Sequence, residues 1–232
     1  MRGEGMVTQM LSKVFDMSEA EIPLPTVWGD NPYEPEWAGR DFLYSPDGHR
    51  EYPMHPCKLS YQLSKPFIKN FRNALDIGCR VGEYTRYLHL DFQHVYAFDP
   101  NLWPDFRKNV DLSRVTHFNC AIGDEPGDTV MFGGGHREME GTRNKLVPVR
   151  TIDQFGLSDV DYIKIDVEGF EKKVLQGAAA TIDRCNPVIV IEQNHVVLDG
   201  DVQFSAKVYL ESIGYKVGAV DVRGWDFVMV RD

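Results

Sequence analysis

The chain has fewer basic than acidic residues and no long apolar run, and each of these features argues against one class of function. Among its 232 residues, 25 Lys and Arg stand against 35 Asp and Glu, for a formal net charge of −10. Such a surface repels phosphate backbones, which makes nucleic acid a poor partner. No run of about 18 apolar residues is present, so no membrane-spanning helix is expected.

Cysteine is scarce as well. The chain holds four cysteines, and they form neither a CxxC pair nor a zinc-type spacing. Reduced thiols in a cytoplasm are the simplest interpretation. The N-terminal stretch MRGEGMVTQMLSKVFDM lacks the apolar core of a signal peptide, which likewise favours a cytoplasmic location.

The character of the chain changes near residue 70. Residues 1–70 are dense in proline and aromatic residues, and because proline blocks helix interiors this part is predicted to be mostly turns and irregular chain. Its aromatic side chains indicate that it packs on the rest of the protein, where it is a candidate for contact with a substrate. A short helix is predicted from about Leu59 to Phe71. Residues 71–232 then form the second unit.

From Asn73 onward, short β-branched runs alternate with amphipathic stretches. This alternation predicts an α/β fold with a doubly wound, mostly parallel sheet. The third strand is predicted over residues 115–123, and the helix after the fourth strand over residues 169–182. The last two strands, YKVGAV and WDFVMV, have only a short link, so they are predicted to complete a seven-stranded sheet as an antiparallel hairpin.

One segment interrupts this alternation. Between Asp128 and Arg150, two short predicted strands flank the loop GGGHREMEGTRN. Insertions of this kind often cover an active site. A surface hairpin without a role fits the pattern equally well.

The first motif that carries chemistry is ALDIGCRVGEYT at residues 74–85. Glycines allow the backbone to turn tightly and approach a ligand, and the helix that follows presents unpaired N–H groups. The spacing Asp-x-Gly-x-x-x-Gly differs from the dinucleotide fingerprint G-x-G-x-x-G. It fits a ligand without a pyrophosphate, whose amino group and ribose need acceptors. A turn with glycines for packing alone is the other interpretation.

Two further motifs end the next strands. Asp99 follows the second strand, where a carboxylate can accept hydrogen bonds from ribose hydroxyls, and Pro100 would shape the wall beside an adenine. A strand-end Asp is otherwise often a helix cap. Cys120 and Ala121 in FNCAIGD are candidates for the adenine edge. Because no His or Lys is evidently paired with it, Cys120 is expected to be a core residue rather than a nucleophile.

The motifs DYIKIDVEGFEKKVLQGA and VIVIEQNH place polar residues at the ends of strands four and five, the edge where ligands bind in open sheets. Glu192 and His195 fit a general base and its orienting partner, although a His after a strand is more often an ordinary loop residue. Lys164 lies within its strand and, if buried, needs a paired carboxylate.

A metal site at this edge is a minor alternative, because oxygen-rich side chains also suit a divalent cation and their spacing is not diagnostic. The residues that would hold it are Asp166, Glu168, Glu192 and His195.

Together these motifs resemble the FkbM family of S-adenosylmethionine-dependent methyltransferases, in the seven-stranded, Rossmann-like class I. The resemblance covers about residues 73–195, and KIDVEG followed by a Gly-Ala helix end carries most of it, with TIDQF before them. It implies S-adenosylmethionine as the cofactor of residues 71–232. It also implies O-methylation of a sugar or glycan hydroxyl, or of a hydroxylated small molecule.

The resemblance implies roles for individual residues. The first motif would hold the methionine part of the cofactor, and Asp99 the ribose. Arg80 departs from the family's usual residue and either binds the cofactor carboxylate or points to solvent. The residues predicted to bind the cofactor are Asp76, Gly78, Arg80, Gly82, Tyr84, Thr85, Asp99, Pro100, Cys120, Ala121 and Asp166. The predicted catalytic residues are Glu192, His195 and Asp166. The catalytic roles follow from the position of these residues at the strand ends and not from the resemblance: Glu192 or His195 would be the base, while Asp166 and Glu168 order the site.

Three alternatives remain open at this point. An NAD(P) oxidoreductase is opposed by the missing third glycine of the fingerprint and by the acid in the first strand. A scaffold that kept the fold and lost catalysis is opposed by the retained cofactor motifs. A nucleic-acid methyltransferase is opposed by the acidic charge and by the lack of an Asn-Pro-Pro-Tyr-like motif.

Overall fold

The computed structural model describes residues 21–35, 42–44, 50–51, 56–131, 145–193 and 202–232. The strands are β1 (Phe42–Leu43), β2 (Arg50–Glu51), β3 (Asn73–Ile77), β4 (His94–Phe98), β5 (Val115–Phe118), β6 (Ala121–Ile122), β7 (Gly127–Met131), β8 (Lys145–Arg150), β9 (Val160–Ile165), β10 (Val188–Glu192), β11 (Lys216–Val220) and β12 (Asp226–Val230). The α-helices are α1 (Pro56–Ser64), α2 (Thr85–Asp91), α3 (Phe106–Asn109), α4 (Glu171–Gln176), α5 (Ala179–Cys185) and α6 (Ser205–Ser212). Short 3-10 helices cover Lys65–Phe67 and Ile152–Phe155.

Seven strands form one sheet in the order β11-β12-β10-β9-β3-β4-β5. The five strands from β10 to β5 pair in parallel, whereas β12 is antiparallel to both β10 and β11. The predicted α/β fold, with a mostly parallel seven-stranded sheet and a C-terminal antiparallel hairpin, is therefore confirmed. Because β12 is antiparallel to β10, it begins beside the end of β10, where Asp226 pairs with Glu192. The turn that precedes β12 therefore lies at the carboxyl edge of the parallel strands.

The central strands contribute side chains to two hydrophobic clusters, one on each face of the sheet, because successive side chains of a strand point to opposite faces. Along β9, Ile163 and Ile165 enter one cluster and Tyr162 enters the other. Along β10, Ile189 and Val190 divide in the same way. Burial on both faces explains the continuous apolar runs, which are typical of parallel sheets covered on both sides.

The prediction of a single strand over residues 115–123 is wrong in the length of that strand. It consists of β5 in the main sheet and β6 in a separate three-stranded sheet with β8 and β7. The chain turns at Asn119, whose side-chain amide donates to the backbone oxygen of Asp99 at 3.0 Å. Pairing with β4 ends at Phe118, before this turn. After the turn, β6 pairs with β8 instead.

The helix predicted after β9 is two helices, α4 and α5. Gly177 lies between them, with its backbone so close to Gly123 that a Cβ atom would be 2.0 Å from the Gly123 carbonyl oxygen. The carboxylate of Asp153, in the TIDQF motif, accepts from the N–H groups of Ala180 and Thr181 at 2.9 and 2.8 Å. The Gly-Ala signature therefore marks a helix break at a position that does not admit a side chain.

The described N-terminal residues pack on the main sheet. Thr26 donates its backbone N–H to His117 of β5 at 2.8 Å, and Trp28 stacks on Phe106 with ring centroids 5.4 Å apart. Helix α1 begins at Pro56 and contacts β10, β11 and β12, earlier than the predicted start at Leu59. The division of the chain near residue 70 stays a prediction. None of the helices in the described ranges is long and apolar enough to cross a membrane.

Asp153→Ala tests the helix break. The substitution removes the acceptor for two N–H groups of α5, and we expect the free energy of unfolding to fall by about 1–2 kcal/mol, as for other lost helix caps. Urea denaturation measures it. The control is Asp183→Ala on the same helix, where the side chain is 88% exposed and a change within about 0.5 kcal/mol is expected. Equal losses in both variants would contradict the capping role.

Candidate active site

A cavity of about 600 Å³ crosses the carboxyl edge of the five parallel strands. Each strand contributes a wall residue where it ends. In the order of the strands from β10 to β5, these residues are Glu192, Asp166, Gly78, Asp99 and Cys120. The parallel arrangement therefore collects into one cavity five residues that span more than 110 positions of the chain.

The turn after β3 can be occupied only by glycine at its first position. Gly78 has φ +87°, and a Cβ atom there would lie 1.8 Å from the backbone oxygen of Asp166. Its N–H donates to Phe98 at 2.9 Å. The turn thus follows the ends of β9 and β4 closely and leaves room above it for a ligand.

Asp99 accepts two backbone hydrogen bonds at the middle of the cavity. The N–H of Arg80 donates to it at 3.0 Å and that of Asn101 at 2.7 Å. Burial nevertheless raises the pKa of Asp99 to about 6. The Arg80 guanidinium pairs with Glu83 at 2.8 Å and lies over the Trp103 ring at 5.7 Å. The side chain of Arg80 therefore forms part of the cavity wall, and solvent is not its only neighbour.

Four of the residues predicted to contact the cofactor do not line the cavity. They are Asp76, Gly82, Tyr84 and Thr85. Asp76 is buried in β3, where it accepts from the Thr85 hydroxyl, and burial raises its pKa to about 7. Tyr84 lies in the core, with its hydroxyl 2.6 Å from that of Tyr162. These residues support the turn from behind, and direct contact between them and a cofactor stays a prediction.

The wall beyond β5 comes from the segment that interrupts the alternation. Gly127, Thr129 and Val149, in β7 and β8, line the cavity beside Cys120 and Ala121. The base of the predicted hairpin is thus part of the site, whereas the loop at its tip lies outside the described residues. Burial raises the pKa of the Cys120 thiol to about 12, so this cysteine is a packed wall residue and not a thiolate.

Two carboxyl groups meet at the other end of the cavity. Asp166 follows β9, Glu192 ends β10, and their carboxyl groups interact at neighbouring positions of the cavity wall. Burial and the neighbouring Asp166 raise the pKa of Glu192 well above its usual range. Lys164 pairs with Asp226 of β12 at 3.0 Å and not with either of these two groups. The predicted need of Lys164 for a carboxylate is met by a residue that the sequence reasoning had not considered.

The metal alternative gains no support from the described part of the chain, where no group of three His, Cys, Asp or Glu residues is arranged to hold an ion. Glu168 lines the cavity, in a turn held by the Glu171 carboxylate, which accepts from the N–H groups of Val167 and Gly169 at 3.1 and 3.0 Å. His195, the second candidate base, lies outside the described residues, so its role stays a prediction.

Sequence reasoning missed several wall residues. Trp103 and Lys173 line the cavity, and Asp226 neutralises Lys164 beneath it. The signal for Trp103 was its position four residues after the strand-end Asp99. The signal for Asp226 was its position at the start of the apolar strand DFVMV. An acid in such a strand is expected to be buried, and a buried acid requires a cation nearby.

The strand order and the position of the cavity are those of the Rossmann-like fold of class I methyltransferases. The FkbM methyltransferase domain matches residues 76–217, and the chain belongs to this family. Its methyl donor is S-adenosylmethionine. A search of curated protein sequences finds no match.

Solved structures of other proteins are similar to this chain. The methyltransferase FkbM from Methylobacillus flagellatus KT is 22% identical, with a TM-score of 0.51 over 69% of this chain and 44% of that chain. The present chain thus spans less than half of that relative. A putative methyltransferase from Streptococcus mutans, in complex with SAH, is 13% identical, with a TM-score of 0.48 over 77% of this chain and 97% of that one. An rRNA methylase from Streptococcus thermophilus is 12% identical, with a TM-score of 0.46 over 78% of this chain and 98% of that one.

The walls of the cavity fit the donor. Gly78 has no side chain and lies against the backbone of Asp166, which leaves space for a ligand at the end of β3. At the end of β4, the buried Asp99 offers carboxylate oxygens. A ribose requires such acceptors. A cation fits a cavity whose wall holds the carboxyl groups of Asp99, Asp166 and Glu192.

Asp99→Asn tests the ribose contact. The ionised carboxylate is the acceptor, so we expect the affinity for S-adenosylhomocysteine to fall about 10- to 100-fold in the variant. Because the pKa of Asp99 is raised to about 6, the wild-type affinity should be full above pH 7 and decline below pH 6 as the carboxylate is protonated.

Calorimetric titration at several pH values measures both effects. Asp76 titrates in the wild type and in the variant alike, so the comparison isolates Asp99. Asp183→Asn is the exposed control. An affinity of the Asp99→Asn variant equal to that of the wild type at pH 7.5 would contradict the assignment.

Proposed function

We propose that this protein transfers the methyl group of S-adenosylmethionine to a hydroxyl group of a sugar, a glycan or another hydroxylated small molecule. The carboxyl pair of Asp166 and Glu192, at the end of the cavity away from the β7–β8 wall, carries the proposal. Glu192 is the base, and Asp166 holds its carboxyl group in place.

The chemistry of a hydroxyl acceptor requires a base. When bound, the donor supplies an activated methyl group, and the protein contributes position and proton transfer. An alcohol must lose its proton as the oxygen attacks, and a base works best when its pKa lies near the operating pH. Glu192, whose pKa burial and Asp166 raise, is better suited to this task than an exposed carboxylate.

The charge of the chain supports a small acceptor over nucleic acid. The net charge is −10, and the cavity wall includes Glu83, Asp124, Glu125 and Asp128 besides the carboxyl groups already described. A polyanion would be repelled from this face. A sugar hydroxyl brings no negative charge, and its choice as acceptor rests on the family resemblance.

Glu192→Gln tests the base. With an acceptor found by screening glycosides and phenols for release of S-adenosylhomocysteine, we expect the variant to lose about 100- to 10 000-fold in kcat, the usual contribution of a general base. The affinity for S-adenosylhomocysteine, which has no sulfonium charge, should change little. Glu211→Gln, on the outer helix α6 and paired with Lys207, is the matched control.

His195→Ala is assayed in parallel with Glu192→Gln, because His195, the second candidate base, lies outside the described residues. Full turnover by both Glu192→Gln and His195→Ala would refute the proposed base. A loss in His195→Ala alone would transfer the role to the histidine.

A further inference from the structure

The strand register brings the two carboxyl groups of the site together. Ile165 of β9 pairs with Ile191 of β10, so Asp166 and Glu192, each one position later, leave adjacent strands side by side. Both side chains line the cavity and interact with each other. Two ionised carboxylates at neighbouring positions repel each other, and a proton on one of them allows it to donate a hydrogen bond to the other.

The nearest cation, Lys164, lowers the pKa of Glu192 less than burial and Asp166 raise it, and its ion pair is formed elsewhere. Lys164 lies two residues before Asp166, but its ammonium group contacts Asp226 at 3.0 Å, and both side chains are only 3–4% exposed. The same ammonium group lies 5.4 Å from the Tyr84 ring centroid. A buried ion pair of this kind keeps Lys164 charged and occupied.

The second cation nearby is occupied as well. Arg223, in the turn between β11 and β12, contacts Asp221 at 2.6 Å and Asp226 at 3.1 Å. On the side of α1, burial raises the pKa of the Cys57 thiol well above its usual value, so this group stays neutral.

The charges around Glu192 are therefore unequal. Among the described residues, two cations, Lys164 and Arg223, face six carboxyl groups, which belong to Asp76, Asp166, Glu171, Glu192, Asp221 and Asp226. Because unpaired charge away from water is costly, a proton retained by Glu192 lowers this excess of negative charge. A positive ligand in the cavity would lower it too.

We propose that Glu192, beside Asp166, holds a proton in the free protein and releases it to solvent when the cationic methyl donor enters the cavity. The inference rests on the proposed function, since it concerns the base assigned there. A nearby positive charge favours the ionised form of a carboxyl group. The base thus becomes competent only when the donor is in place.

Two ligands that differ by one charge test the proposal. S-adenosylmethionine carries a sulfonium, and S-adenosylhomocysteine carries a neutral thioether at the same position. Each is titrated calorimetrically at pH 7.5, with a chelator, in two buffers of different ionisation enthalpy, which yields the number of protons released. We expect the sulfonium ligand to release more, by a difference on the order of one proton per site.

Variants assign the proton. In Glu192→Gln the difference between the two ligands should vanish, while both ligands still bind. In Asp226→Asn the ammonium group of Lys164 becomes available to the pair, so the difference should shrink. Glu211→Gln, remote from the cavity, should keep the wild-type difference. Glu192→Gln alone decides the matter if Asp226→Asn does not fold.

Equal proton release by the two ligands in the wild type would overturn the proposal, and so would a difference that persists in Glu192→Gln. Failure of both ligands to bind a folded wild type would overturn the proposed function itself, together with this inference. Binding with equal proton release would leave the methyl transfer intact, so the two failures are distinguishable.

Discussion

Parallel strands end together at one edge of a sheet, and in this protein that edge holds more carboxyl groups than cations among the described residues. Asp99, Asp166 and Glu192 line one cavity, and desolvation raises the pKa of Asp99 and Glu192. Hydrogen bonds from backbone N–H groups offset part of the cost at Asp99. The acidic excess favours a positively charged ligand, and this preference follows from the burial of the cavity wall rather than from the total charge of the chain.

Close backbone approach is the second constraint on the site. Gly78 lies against the end of β9, and Gly177 lies against Gly123, which lines the cavity. Neither position has room for a Cβ atom. The signatures that identify the family in the sequence are therefore explained by packing around the cavity, and Asp153 of the TIDQF motif acts in the same way, by holding the start of α5.

Periodicity was sufficient for the architecture. Apolar runs such as PVIVIE are buried on both faces, so they could be recognised as parallel strands without knowledge of their partners. The breaks were harder to predict. The end of β5 depends on the contact between Asn119 and Asp99, and the break before α5 depends on Asp153, 27 positions earlier than Ala180. Such contacts are distant in the chain, and local pattern does not contain them.

The sequence by itself determined the class of fold, the order of its strands along the chain and the family, because all three depend on local pattern and on short motifs. It also located the residues of the cavity wall that end the five parallel strands, since strand ends in a parallel sheet share one edge. Only the tertiary structure decided that Tyr84 lies in the core, that Lys164 pairs with Asp226, and that Asp166 and Glu192 lie side by side in the cavity wall. Protonation and ion pairing depend on distances between strands and on exclusion of water, and those exist only after the chain has folded.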